Sequence, residues 1–205
     1  MKELELAALL CSRLCHDIVG PLGAVHNGME ILQEETDPDM REQAEALVAR
    51  SALEAARRLQ FLRLAFGASG GEGQSFSLSE AREAARALYS DGKITLNWEN
   101  VEPELSKTGA KLLLNMILSV AAAMPRGGEL IVDVAEAPGR SRVSGHGNNA
   151  RFRPEARAAL TEAEADVDAR NIQHRYTALL ARSLDAGLSL EEGPQDQVHL
   201  HAALR

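Results

Sequence analysis

The sequence predicts two parts of different class, an α-helical hairpin followed by an α/β sandwich, which makes the chain α + α/β overall. Three observations carry this. Two long segments repeat apolar residues at three- and four-residue steps and are joined by the short polar stretch Thr36-Asp37-Pro38-Asp39. Gly67-Ala68-Ser69-Gly70-Gly71-Glu72-Gly73 then interrupts the chain with four glycines and little to pack. Beyond that run, short alternating segments and amphipathic helical segments interleave. The expected division is a hairpin over 1–67, a linker over 68–73 and a second domain over 74–205.

Taken in order, the first helix is expected from about Lys2 to Glu34 or Glu35. Pro21 inside it removes one backbone hydrogen bond and is expected to bend the helix just past His16. The second helix runs to about Phe66, with Ala44, Val48, Ser51, Ala55, Leu59, Leu62 and Phe66 on one stripe. A lone hairpin cannot bury both stripes, so a second copy is expected to complete a four-helix bundle, a homodimer. The second domain reads as a helix near Leu78–Tyr89, a strand Lys93–Trp98, a helix Lys107–Met124, and strands around Glu129–Ala135 and Arg140–Val143. A helix near Asn171–Asp185 and closing strands around Leu188–Glu191 and Gln197–Ala203 complete it. Antiparallel strands with helices on one face are the expected arrangement.

Composition narrows the function classes. The chain has 205 residues, 22 basic against 30 acidic, and a net charge of −8. That balance, with no basic run, argues against nucleic acid as a partner. No uninterrupted apolar stretch is long enough to span a bilayer, and acidic Glu3 and Glu5 stand where a secretory signal is basic, so no membrane role and a cytoplasmic location are expected. Cys11 and Cys15 lie four apart on the first helix, where a disulfide strains helical geometry. With no companion ligand pair elsewhere they do not read as a metal site, and packing in or near the core is expected.

His16 stands out. At about 100° per residue from it, Leu14, Ile18, Val25, Met29 and Leu32 fall at roughly 160–220°, the opposite face, so the imidazole is expected to be exposed. Leu9, Ser12, Gly20, Gly23 and Asn27 share its own side and are mostly small, leaving room for another protein to approach. Such a histidine suits a nucleophile that passes a group between proteins. Gly20 and Gly23 also admit a packing role around Pro21. His199 and His201 share one side of the last strand as an exposed polar face, and His26, His146 and His174 have no recognisable partners in the sequence.

The hairpin carrying His16, Asp17, Pro21 and Leu22, followed by glycines and an α/β sandwich, resembles the architecture of sensor histidine kinases. Leu9-Leu10-Cys11-Ser12-Arg13-Leu14-Cys15-His16-Asp17, with Gly20-Pro21-Leu22-Gly23-Ala24 and Asn27-Gly28, is similar to the ChpT-type alphaproteobacterial histidine phosphotransferases. So is Leu59-Gln60-Phe61 through Ala65-Phe66-Gly67-Ala68. In kinases the ATP site needs an asparagine-rich helix and two glycine-rich loops. Here Leu112-Leu113-Leu114-Asn115-Met116-Ile117-Leu118-Ser119 places Ser119 where the metal-binding asparagine would stand, which leaves Asn115 as a structural remnant. Gly145-His146-Gly147 and Asp185-Ala186-Gly187 are too short to cradle phosphates. The resemblance thus implies a kinase ATPase-like domain that has lost its nucleotide site, and no cofactor bound by this chain.

It also implies a phosphorelay histidine phosphotransferase. His16 takes a phosphoryl group from a receiver-domain aspartate of a hybrid histidine kinase and passes it to receiver domains of response regulators, a cell-cycle regulator among them. Magnesium comes from the partner receiver domain. Asp17 is the expected helper, orienting or stabilising the imidazole, or instead meeting the receiver or a neighbouring helix. Arg13, Gly20, Leu22, Gly23 and Asn27 are the expected docking residues, with Arg13 able to neutralise phosphoryl charge. With both proteins acidic, Leu9, Val19 and Leu22 are expected to supply affinity. A kinase with a divergent ATP site and a non-catalytic receiver-binding scaffold are the alternatives.

Overall fold

A computed structural model describes residues 2–67, 78–98, 105–135 and 139–204. The hairpin consists of α1, Glu3–Glu34, and α2, Pro38–Phe66. Its turn is built by Asp37, whose carboxylate accepts from the amides of Asp39 at 2.9 Å and Met40 at 3.4 Å while Pro38 occupies the first helical position. Arg41 then donates to the carbonyls of Leu32 at 2.6 Å and Glu35 at 3.0 Å, satisfying the frayed end of α1. At Gly28 the two helices approach closely, since a Cβ there would lie 2.6 Å from Val48 Cγ2.

The contact with α2 takes Leu10, Leu14, Pro21, Gly28 and Leu32 out of solvent, fully or in part. It leaves a second apolar band on α1 exposed: Leu4, Cys11, Cys15, Leu22 and Met29. Both cysteines are therefore on the surface of the chain rather than in its core, a correction to the sequence expectation. The stripe on α1 is wider than one neighbouring helix can cover, and the cysteines fall on the uncovered part. By length and composition α1 is also apolar enough to cross a membrane. The position of α2 along its flank and the polar residues Arg13, His16 and Asp17 at its middle account for it as a packed helix.

The second part contains α3, Leu78–Tyr89, β1, Ile94–Asn97, α4, Lys107–Ala122, β2, Gly128–Asp133, and β3, Ser141–His146. It continues through α5, Pro154–Thr161, α6, Ile172–Ser183, β4, Ser189–Gly193, and β5, Gln197–Ala202. The strands form one sheet in the order β1-β2-β3-β5-β4. The pairing of β1 with β2 is parallel, because α4 carries the chain back across the sheet between them, and the other pairings are antiparallel. The sheet is thus mixed, not purely antiparallel. The sequence reading also missed α5, whose buried residues are only Ala156, Ala159 and Leu160, and stopped β3 short of Ser144–His146.

Helix α4 lies at the centre, with Leu112, Leu113, Leu114, Met116 and Ile117 all fully buried. Phe61, Leu64 and Ala65 at the end of α2 join the same core, so the hairpin is anchored in the second part by apolar burial. The predicted linker, 68–73, lies outside the described residues. On the sheet face away from α4, His146, His199 and His201 neighbour one another, with ring centroids 6.0 and 6.2 Å apart. His199 also shares a 2.9 Å hydrogen bond with Ser144, so His146 and His199 do have partners that the sequence did not reveal.

Candidate phosphoryl-acceptor site

Position 16 is set by the register of α1 against α2. With Pro21 and Gly28 turned toward the hairpin interior, His16 is carried outward, and its side chain is 85% exposed. Asp17, one residue on, turns toward the interior and is only 19% exposed. Its carboxylate nevertheless reaches both ways. Oδ1 lies 3.4 Å from His16 Nδ1, and Oδ2 accepts a 2.9 Å hydrogen bond from Arg13 Nε.

This chain of contacts settles the local geometry. Arg13 stands one turn before Asp17, the spacing at which helical side chains meet, and its Nε holds one oxygen of the carboxylate. The same guanidinium donates from Nη1 to the carbonyl of Arg170, 3.3 Å away, just before α6. Arg58 on α2 donates to the backbone carbonyl of Asp17 at 3.3 Å and to Glu54 at 3.0 Å. Asp17 is thereby held from α1, from α2 and, through Arg13, from the second part. Arg58 and the Arg170 carbonyl were missed from the sequence, where one arginine among several on a helix carries no distinguishing signal.

The imidazole is left with Nδ1 beside a carboxylate and Nε2 toward solvent. A carboxylate at Nδ1 favours the tautomer whose proton sits on that nitrogen, which leaves the Nε2 lone pair free for attack. The strip beside it is open. Gly20, Leu22, Gly23 and Asn27 are all exposed, and a Cβ added at Gly20 or Gly23 would meet nothing within 4 Å. Neither glycine is needed for packing inside the chain; Gly28 fills that role.

A groove of about 750 Å³ runs beside the Arg13–Asp17 pair between hairpin and second part. Arg13, Arg50, Arg57, Arg58 and Lys93 line it against Asp17, Glu54 and Asp91, a local cationic excess in a chain whose net charge is −8. Arg57 pairs with Asp91 here, and that guanidinium holds the Asp91 carboxyl below the usual carboxylate range. Tyr89 is partly buried in the groove wall, and the desolvation pushes its phenol above the ordinary value.

Two polar residues of α4, Asn115 and Ser119, are enclosed by protein. The Asn115 side chain donates to the carbonyl of Ala65 on α2 and to that of Lys111, each at 2.9 Å. Ser119 meets Gln173 at 3.3 Å and Thr177 at 3.2 Å, and Gln173 donates to the Asn115 carbonyl at 2.8 Å. All four side chains are buried, and their hydrogen-bonding capacity is turned inward between α4 and α6. These residues do not fit a nucleotide. Among the described residues no group of three or more His, Cys, Asp or Glu side chains is placed to hold a metal.

Comparison with known proteins agrees with this arrangement. Residues 78–196 match the family described as histidine phosphotransferase C-terminal domain. The protein phosphotransferase ChpT of Brucella abortus (strain 2308) is 39% identical over 202 residues, covering 97% of this chain and 95% of that protein. A solved bacterial phosphotransferase superposes with a TM-score of 0.86 at 35% identity, covering 98% of this chain and 97% of its own.

Proposed function

The chain belongs to the histidine phosphotransferase family and is a phosphorelay phosphotransferase that works with response regulators; on that premise we propose that His16 is its phosphoryl carrier. The observation that carries this is the exposed imidazole with Nδ1 3.4 Å from Asp17 and Nε2 unobstructed. The Nε2 lone pair attacks phosphorus in the aspartyl phosphate of a hybrid kinase's receiver domain. The N–P bond forms as the P–O bond to the aspartate breaks, which returns that carboxylate. The imidazole becomes cationic, and Asp17 at Nδ1 offsets the new charge. Transfer to the next receiver runs the same steps in reverse.

Such a transition state is loose, so positioning and charge neutralisation supply most of the rate, and magnesium belongs to the receiver's acidic pocket. This chain supplies orientation: Arg13 holds Asp17, and Asp17 holds the ring. Gly20, Gly23 and Asn27 form the strip on which the receiver lies, while Leu22, about 240° round the helix from His16, falls in the uncovered apolar band instead. The cationic groove beside Arg13 complements an acidic partner and offsets the charge repulsion expected from sequence to limit the affinity that apolar contacts supply.

The uncovered band of Leu4, Cys11, Cys15, Leu22 and Met29 supports a homodimer in which a second hairpin completes a four-helix bundle. Light scattering at micromolar concentration is expected to give twice the chain mass, and a stable monomer would sink that assignment. A cytoplasmic location follows from the relay role.

The deciding experiment incubates the protein with a phosphorylated receiver domain and, separately, with radiolabelled ATP. Label is expected on the wild type from the receiver alone and on neither preparation of His16→Ala, which should keep its helical circular dichroism. Label from ATP without a donor protein would replace the relay by a kinase. Unchanged pathway output from His16→Ala would leave only a scaffold.

A further inference from the structure

A second cavity, of about 590 Å³, opens where the ends of α4 and the starts of α5 and α6 meet Arg13 of the hairpin. That volume lies in the range of roughly 300–1,000 Å³ typical of small-molecule sites. We propose that it binds a small organic phosphomonoester, the phosphate held by Arg153 and Arg170 and the organic part set against Phe152 and His174.

Charge is the first support. Arg13, Arg153 and Arg170 line the cavity together with Glu155 and Asp168. Arg13 is bonded to Asp17 and to the Arg170 carbonyl. Among the described residues the Arg153 and Arg170 guanidinium groups have no hydrogen-bond or ion-pair partner, in a chain where acidic residues outnumber basic ones by 30 to 22. Asp168 accepts through one carboxylate oxygen from the amides of Arg170 at 2.8 Å and Asn171 at 3.2 Å, and it and Glu155 are the two opposing charges against three arginines. A guanidinium fork matches the geometry of a phosphate.

The walls give the second and third supports. Helix α5 begins at the cavity with Arg153 as its N-cap and no side-chain cap, so its first-turn amides add donor character there. His174 forms part of the wall. It is 6% exposed, its Nδ1 is buried with no partner, and its ring stands edge-on to Phe152 with centroids 6.5 Å apart. A buried imidazole nitrogen without a partner is costly unless something fills the role. Burial and the nearby Arg13 keep this ring neutral, with its pKa lowered to about 4, so at neutral pH it offers one donor and one acceptor instead of a further charge. An aromatic pair beside two free guanidinium groups favours an organic phosphate over a bare ion.

The test uses the full chain and reads the His174 imidazole resonances by NMR. Adenosine monophosphate, glucose 6-phosphate and inorganic phosphate are titrated at fixed ionic strength, with sodium chloride and glucose as controls. At least one ester is expected to give a saturable shift at His174 and to bind about tenfold more tightly than inorganic phosphate. Arg153→Gln and Arg170→Gln should each weaken it about tenfold at unchanged melting temperature. A non-saturable response, one matched by chloride, phosphate binding as tightly as either ester, or binding indifferent to both substitutions would overturn the proposal. Phosphotransfer to His16, followed in parallel, keeps the two readings separate, since Arg153→Gln should still accept label from a phosphorylated receiver.

Discussion

The polar cluster between α4 and α6 and the polar cluster at the middle of α1 use the same kinds of side chain in opposite ways. In the first, Asn115, Ser119, Gln173 and Thr177 are all buried, and each bonds to another or to a backbone carbonyl. In the second, Arg13, Asp17 and His16 form a chain whose last link ends in solvent. A closed network stabilises the fold and has nothing left to offer a ligand. The open one keeps a single nitrogen unspent, and that nitrogen is where chemistry can occur.

The largest effect that sharpens this contrast is on stability near the closed cluster. His174 on α6 has its pKa lowered from 6.5 to about 4 by burial and by Arg13. Above pH 6.5 both folded and unfolded forms are neutral, and the group contributes no pH dependence. As pH falls below 6.5 the unfolded chain takes a proton that the folded chain refuses, so stability drops until the folded group also titrates near pH 4. The loss approaches about 3 kcal/mol at most. Chemical denaturation between pH 7 and 4 should show it, and His174→Gln should flatten that part of the profile.

Next in size, Gln173→Leu removes the buried amide that donates to the Asn115 carbonyl and Ser119, leaving Thr177 as their one remaining link across to α6. A loss of about 2–3 kcal/mol is expected in urea unfolding. Phosphotransfer well below the melting point should be unchanged, and a selective loss of transfer at full stability would break the comparison. Asp17→Asn works the other way round: a rate of transfer to His16 lowered by about tenfold to 10²-fold, with the melting temperature nearly constant. Stopped-flow transfer from a phosphorylated receiver measures it, and a change in receiver affinity alone would show that Asp17 serves docking.

The smallest effect separates the glycines. Gly20→Ala and Gly23→Ala meet no neighbour and should raise stability by about 0.5–1 kcal/mol each through helix propensity, while weakening receiver binding. Thermal melts and receiver titrations of the same variants check both halves.

Much of this was legible in the chain. The hairpin, its turn at Asp37-Pro38 and the outward His16 follow from helical period and capping, which are local signals. The open strip of Gly20, Gly23 and Asn27 was legible for the same reason. What escaped depends on distant contacts. Helix α5 is short and its buried side is mostly alanine, a weak apolar stripe. Parallel pairing of β1 with β2 depends on where α4 lies. The roles of Arg58, Arg170 and His174 exist only once α2 and α6 pack beside α1, and Cys11 and Cys15, expected in or near the core because free cysteine is commonly buried, lie on the part of α1 that α2 does not cover.

On the proposal that His16 carries the phosphoryl group, its 85% exposure has a kinetic meaning as well as a geometric one. A phosphoramidate formed there stands in bulk water, shielded only while a receiver covers it. The group's lifetime on the free protein is then a race between hydrolysis and the next encounter. The molecule behaves as a forgetful courier: its memory of an upstream signal fades at a rate set by solvent, and throughput rises with the concentration of waiting receivers.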